Sequence, residues 1–291
     1  MATVLLLAAL AAPPSATHDK AFWRAIADAK FEVPAGESAA GLARELTAVL
    51  GSPDPELRDD LAFTILSAWI YDKRLLGPDD LRSLSETLER QLRRGIDTAG
   101  TDDVLLRSFS ALTLSIVAAR DNATPFLTAA EFTALLDAAL QYFRDERDSR
   151  GFDAEKGWIH AAAHTSDLLK FLARSARLQT ADQSRIFDAL IAKNRDSRAP
   201  FAQGEDERMA RVAVSIVRRA DFDRPAFTRW LEAARATATF PRVASVDVLR
   251  AHQNMRHLLS ALWAELSADE RPSEGADFAR TALREALKTL F

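Results

Sequence analysis

"TAAEFTALLDAALQYF", Thr128 to Phe143, decides the fold. Thr128 followed three residues on by Glu131 is a capping box, in which each side chain satisfies a backbone amide that the first helical turn leaves free. Behind it Phe132, Leu135, Leu136, Ala139, Leu140 and Phe143 recur at i, i+3 and i+4, the stripe of a helix with one face in a core.

The same punctuation runs along the chain. Ser52 with Pro53 suits an N-cap and first helical residue, opening a helix to about Lys73. Gly77-Pro78-Asp79-Asp80 starts the next, which stops at Gly95. Thr101-Asp102-Asp103 puts acids in a first turn, where the helix dipole favours them, ahead of Val104 to Arg120. Thr180 with Gln183 reads as a second capping box. Gly204 leads into Met209, Val212, Ala213, Ile216 and Val217; Asp223 with Pro225 opens the Trp230 helix. Ser245 opens a long helix to Leu266, and a last one runs from about Gly275 to Leu290. Period-2 runs of Val, Ile and Thr, the strand signature, are missing. The fold expected is all-α.

Alternate helix starts at Ser52, Thr101, Lys156, Gly204 and Ser245 are about 40 to 55 residues apart. That spacing suits an irregular helical-hairpin solenoid, a HEAT- or armadillo-like α/α superhelix whose pairs bury their faces only by stacking. An irregular bundle is the alternative. No Gly/Ser-rich linker interrupts the pattern, so residues 17–291 are read as one domain. Residues 1–16 are read as a signal peptide. Val4 to Ala12 is an apolar run with small residues at Ala9 and Ala11, followed by Pro13-Pro14, although no Lys or Arg precedes it. An exported, periplasmic or secreted protein is the expectation, and a cytoplasmic one if the segment is instead a short helix.

The 291 residues are 48% hydrophobic and 27% charged with both signs interspersed, for a net charge of −4, so a basic nucleic-acid-binding face is not expected. No other segment is long and apolar enough for a membrane span. There is no cysteine, which excludes disulfides and thiolate ligands. No Walker-type loop, G-x-G-x-x-G or G-x-S-x-G is present. Carboxylates are plentiful, but spacing alone selects no glycosidase pair. The tryptophans at 23, 69, 158, 230 and 263 read as core.

Chemistry concentrates in "GWIHAAAHTSDLL", Gly157 to Leu169. Read as helix from Gly157, it puts His160, His164, Asp167 and Phe171 on one stripe at the edge of the packed face. Three readings compete: one divalent metal ion on His160, His164 and Asp167; acid–base chemistry by one histidine; or a structural network. The H-E-x-x-H base is absent, because alanines fill the interval between the histidines. Elsewhere Glu205 and Arg208 extend the stripe of Met209 and Val212. His252 aligns with Val248, Met255, Leu259 and Leu262, while His257 points about 140° away, with Asn254 nearer its side.

The motif Arg147-Asp148-x-Arg150-Gly151-Phe152 and then Lys156-Gly157-Trp158-x-His160-x-x-x-His164-x-x-Asp167-Leu168-Leu169, with Gly204-Glu205-Asp206-Glu207-Arg208 and Asn254 in "NMRHLLSALW", resembles the bacterial family called domain of unknown function 2785. Thr165-Ser166 departs from the small pair of that pattern. The resemblance implies a helical-repeat fold and a shared location for Arg150, Lys156, Trp158, His160, His164, Asp167, Glu205 and Arg208. It brings no activity. Two arginines beside a metal would oppose the ion unless Glu205 and Asp167 offset them. The functional expectation is a binding or interaction module for a small molecule or protein, with a His/Asp/Glu/Arg pocket on its concave face. The alternative is a metal-dependent hydrolase or lyase using His160, His164 and Asp167.

Overall fold

A computed structural model describes residues 17–242, 245–270 and 273–290; the segment read as a signal peptide lies outside them. The Thr128–Glu131 capping box is present, Glu131 donating its amide to Thr128 Oγ1 at 3.2 Å and accepting from the Thr128 amide at 2.6 Å. It opens helix α6 (Ala129–Asp145), which buries Phe132, Leu135, Leu136, Ala139, Leu140 and Phe143, the stripe read from the sequence. Burying a side chain of that size is worth roughly 1.5–3 kcal/mol.

The protein is all-α. Helices α1 (Lys20–Asp28) and α2 (Ala39–Val49) precede α3 (Thr64–Ser67), which is flanked by π-helical stretches at Glu56–Phe63 and Ala68–Asp72. Then come α4 (Pro78–Gln91), α5 (Asp103–Ala123), α6, α7 (Ala161–Arg174), α8 (Thr180–Asp196) and α9 (Glu205–Val217). The chain continues through α10 (Arg224–Ala238), α11 (Val246–Ser267) and α12 (Glu274–Leu287). Two short strands, β1 (Phe152–Asp153) and β2 (Gly157–Trp158), pair antiparallel between α6 and α7.

Packing is between neighbours. Helix α5 lies against α7, α7 against α9 and α9 against α11, while α6, α8, α10 and α12 contact one another in turn. The two rows meet through α4 on α5, α6 on α7 and α10 on α11. One apolar cluster runs from Trp23 in α1 to Leu283 in α12. None of the described helices is long and apolar enough to cross a membrane.

Besides the start expected at Gly157, two helix starts differ from the sequence reading. The helix expected at Ser52–Pro53 begins at Glu56, because Pro53 and Pro55 have no amide hydrogen to offer a cap. The first free amides, of Glu56 and Leu57, donate to Asp54 Oδ1 at 3.0 and 3.3 Å, so Asp54 does the capping. The Thr180–Gln183 capping box does not form: the carboxylate of Asp182 accepts the Gln179 amide at 3.2 Å instead. Gln183 is drawn into the core, donating to the Asp221 carbonyl and accepting from the Asp223 amide, each at 2.9 Å.

Candidate functional site

The segment expected as continuous helix from Gly157 is a β-hairpin followed by a helix that begins only at Ala161. Asp153 Oδ1 accepts the amides of Glu155 and Lys156 at 2.9 Å each and makes the turn. Gly157 has φ of +70°, and a Cβ there would stand 2.9 Å from Pro55 Cβ, so both conformation and space require glycine. Gly151 is required for space alone, since its missing Cβ leaves room for the side chain of Gln203. Gln203 accepts the Phe152 amide at 2.8 Å.

The hairpin is tied down on three sides. Lys156 Nζ donates to Asp102 Oδ1 at 2.6 Å, at the start of α5. Arg150 grips Asp148 and donates to the Thr101 carbonyl at 2.9 Å. From the π-helical stretch Glu56–Phe63, the buried Arg58 donates to the carbonyls of Ser52 at 2.7 Å, Trp158 at 3.1 Å and Lys156. Its guanidinium carbon also stands 4.8 Å from the centre of the Phe109 ring.

These ties put His160 at the junction of hairpin and helix, in the left-handed region with φ of +50° and ψ of +32°. A residue with a Cβ pays roughly 1 kcal/mol or more for that conformation and keeps it only where its surroundings hold it. What holds His160 is Trp158, stacked on its ring at 4.7 Å, and the amide bonds from Ile159 and His160 to the Gly151 carbonyl at 2.8 and 3.2 Å. His160 therefore does not share a helical stripe with His164. The two rings meet edge to face at 5.8 Å because the chain turns at His160.

His164 lies in the first turns of α7, buried, with the Phe109 ring edge-on at 4.9 Å. Its Nδ1 is 2.8 Å from Ser108 Oγ, and Ser108 also donates to the Ile159 carbonyl. Burial pushes the His164 imidazolium well below its ordinary pKa, and the charges of His160, Arg208 and Arg58 push the same way. His160 Nε2 stands 3.4 Å from Glu205 Oε1, at ion-pair distance but not in hydrogen-bond alignment. Burial raises the Glu205 carboxyl, but His160 and the Gln203 amide outweigh it and hold it below its ordinary value.

Asp167 is committed elsewhere. One oxygen accepts from Arg208 and the other from Lys170 at 2.7 Å. The ligand set His160, His164 and Asp167 is thus not assembled, and no group of three His, Asp or Glu side chains among the described residues is placed to hold a metal ion.

His252 and Asn254 make their contacts elsewhere. His252 packs edge-on against Phe240 at 5.4 Å and is only half-buried, since the buried face of α11 starts at Ala251 and leaves Val248 exposed. Asn254 accepts the Phe201 amide at 2.9 Å and donates to the Asn194 carbonyl at 3.3 Å, bracing a loop. Ser108, Phe109 and Arg58 were missed by sequence reasoning; Ser108 is one of several small hydroxyls in the run Val104 to Ala119, with Ser110, Thr113 and Ser115, so nothing in the sequence sets it apart. Trp158, which the sequence places in the core, is instead 39% exposed, beside Phe152 at 51% with ring centres 5.1 Å apart.

A family model described as Protein of unknown function (DUF2785) matches residues 92–264. The chain belongs to the DUF2785 family. No curated protein and no solved structure matches it. The matched span of this DUF2785 protein contains the hairpin, both histidines, Glu205 and Arg208, whereas Arg58, which clamps the hairpin from below, lies outside it.

Proposed function

We propose that this DUF2785 protein is a binding module, and that the hairpin Arg150–His160 presents Phe152 and Trp158 as its contact surface. The observation that supports the reading is the pairing of opposites at one place: two exposed aromatic rings stand on a hairpin whose backbone is fastened by Arg58, Arg150, Lys156 and the strained His160. Rigid aromatic side chains give contact area at small entropic cost. The polar cluster beneath is then a support that holds Trp158 through His160, Glu205 and Ser108. The ligand this suits is a small molecule or protein segment with a flat apolar group.

The neighbour-to-neighbour packing of alternate helices supports a solenoid-like array with the hairpin at one end of α7, and the continuous apolar cluster supports a single domain. We place the protein outside the cytoplasm on the apolar run Val4 to Ala12.

The alternative, a hydrolase or lyase using His160, His164 and Asp167, has the Ser108–His164 contact in its favour. Against it, the Ser108 hydroxyl is committed to the Ile159 carbonyl, and Asp167 is held by Arg208 and Lys170. Screening a library of aromatic small molecules and peptides by tryptophan fluorescence and calorimetry tests the choice. Saturable binding without conversion, lost in Phe152→Ser/Trp158→Ser while circular dichroism shows the helical fold retained, is expected. Turnover of a bound compound that disappears in His164→Ala would overturn the reading.

A further inference from the structure

Away from the hairpin's aromatic rings, between the end of α6, the loop that follows it and the end of α8, lies a cavity of about 460 Å³. That is within the range of small-molecule sites and several times the size of a lone oxyanion. Cations outnumber acids along its lining. Arg144, Arg147 and Arg198 line it, are exposed, and have no side-chain partner among the described residues. Lys193 lines it as well and is almost wholly buried.

The acids at the cavity do not cancel these cations, because each is already paired. Glu146 takes Arg107 in a fork at 2.6 and 3.1 Å, Asp148 takes Arg150 at 2.6 Å, and Asp196 takes Arg195 at 2.8 Å. Lys193 Nζ donates to the Glu146 carbonyl at 2.8 Å, and the Phe143 ring centre is 5.1 Å away. Its two further N–H groups have no acceptor among the described residues. A buried ammonium with unused donors, at a cavity rimmed by unpaired guanidinium groups, is an arrangement that an anion completes.

We propose that this cavity binds a small organic molecule bearing a phosphate group. The Arg144, Arg147 and Arg198 forks and the Lys193 ammonium take the phosphate, whose charge near −2 at neutral pH matches several cations better than a single carboxylate does. Phe201 and Ala162 supply an apolar wall for the organic part. The site is separate from the aromatic surface proposed above and stands or falls apart from it.

Calorimetric titration of the full chain at low ionic strength and about pH 7, with phenyl phosphate, inorganic phosphate and succinate in turn, tests this. Phenyl phosphate should bind saturably at one per chain, more tightly than inorganic phosphate, with succinate weakest. Arg147→Ala/Arg198→Ala should weaken phenyl phosphate at least tenfold at unchanged melting temperature, since both side chains are exposed, while Trp158→Ser should leave its affinity unchanged. Absence of saturable binding, succinate binding as tightly as phenyl phosphate, or undiminished affinity in the double variant each overturns the proposal.

Discussion

The hydroxyl of Ser108 accepts the Nδ1 proton of His164 at 2.8 Å because its own proton is committed to the carbonyl of Ile159. A hydroxyl has one proton to donate, so the direction of both bonds follows. His164 is therefore the neutral Nδ1–H tautomer, with its lone pair on Nε2. A serine held this way is not activated as a nucleophile, which is why the pair reads as scaffold and not as a catalytic dyad.

The same geometry fixes a pH dependence. The folded pKa of His164 lies well below its ordinary 6.5, through burial and the charges of His160, Arg208 and Arg58. As pH falls below 6.5 the unfolded chain takes up a proton that the folded chain refuses, so stability is lost on acidification. Wild type should lose on the order of 1 kcal/mol more than His164→Gln for each pH unit below that value. Urea unfolding at several pH values reads the difference, and parallel curves for the two proteins would show the assignment to be wrong.

Gly157 and Gly36 both adopt positive φ, +70° and +89°, but only Gly157 is crowded, by Pro55. Gly36→Ala should cost about 1 kcal/mol for backbone strain alone. Gly157→Ala should cost about 1–3 kcal/mol more, because the Pro55 ring is closed onto the backbone just before the π-helical stretch that carries Arg58 and cannot move aside freely. Thermal melts of the two variants side by side give the comparison.

These cases mark what was legible in the sequence. The Thr128–Glu131 box and its apolar stripe were, because both are written within one helix. So were Asp223 with Pro225, and Ser245, whose side chains accept the amides of Ala226 and Val248. The hairpin was not, although Gly151, Asp153 and Gly157 are turn residues, because the alanines and leucines beyond it read as helix and drew the boundary back to Gly157. What fixes the break is distant in sequence: Pro55 against Gly157, Arg58 on the Trp158 carbonyl, Ser108 on Ile159. Asp167 and Arg208, for which the resemblance implies a shared location, form an ion pair, but the sequence held no sign that Arg150 and Lys156 reach back to Thr101 and Asp102.

Arg58 should matter more than its place outside the histidine motif suggests. Arg58→Met removes the donors to the Ser52, Lys156 and Trp158 carbonyls and leaves buried acceptors unpaired. A loss of at least roughly 2 kcal/mol is expected. Hydrogen exchange locates it: the amides of Ile159 and His160, which donate to Gly151, should exchange faster in the variant. Loss of stability spread evenly over the chain, with no excess at those two amides, would argue against the clamp.

Lys193 offers a pH dependence of the same sign as that of His164, in an alkaline window. Burial lowers its pKa from 10.5 to about 8, against the attraction of Glu146, Asp145 and Asp196. Between those two values the unfolded chain keeps a proton that the folded chain has released, so folding becomes more favourable as pH rises through the interval. The gain should be on the order of 1 kcal/mol per pH unit. Lys193→Met has no proton to release, so its stability should lack this rise, and at neutral pH it is spared the cost of a buried ammonium while losing the bond to the Glu146 carbonyl. Denaturant unfolding of both proteins at pH values from about 7 to 10 separates the two. An equal rise in both would mean that Lys193 keeps an ordinary ammonium, open to water, and that burial does not govern its charge.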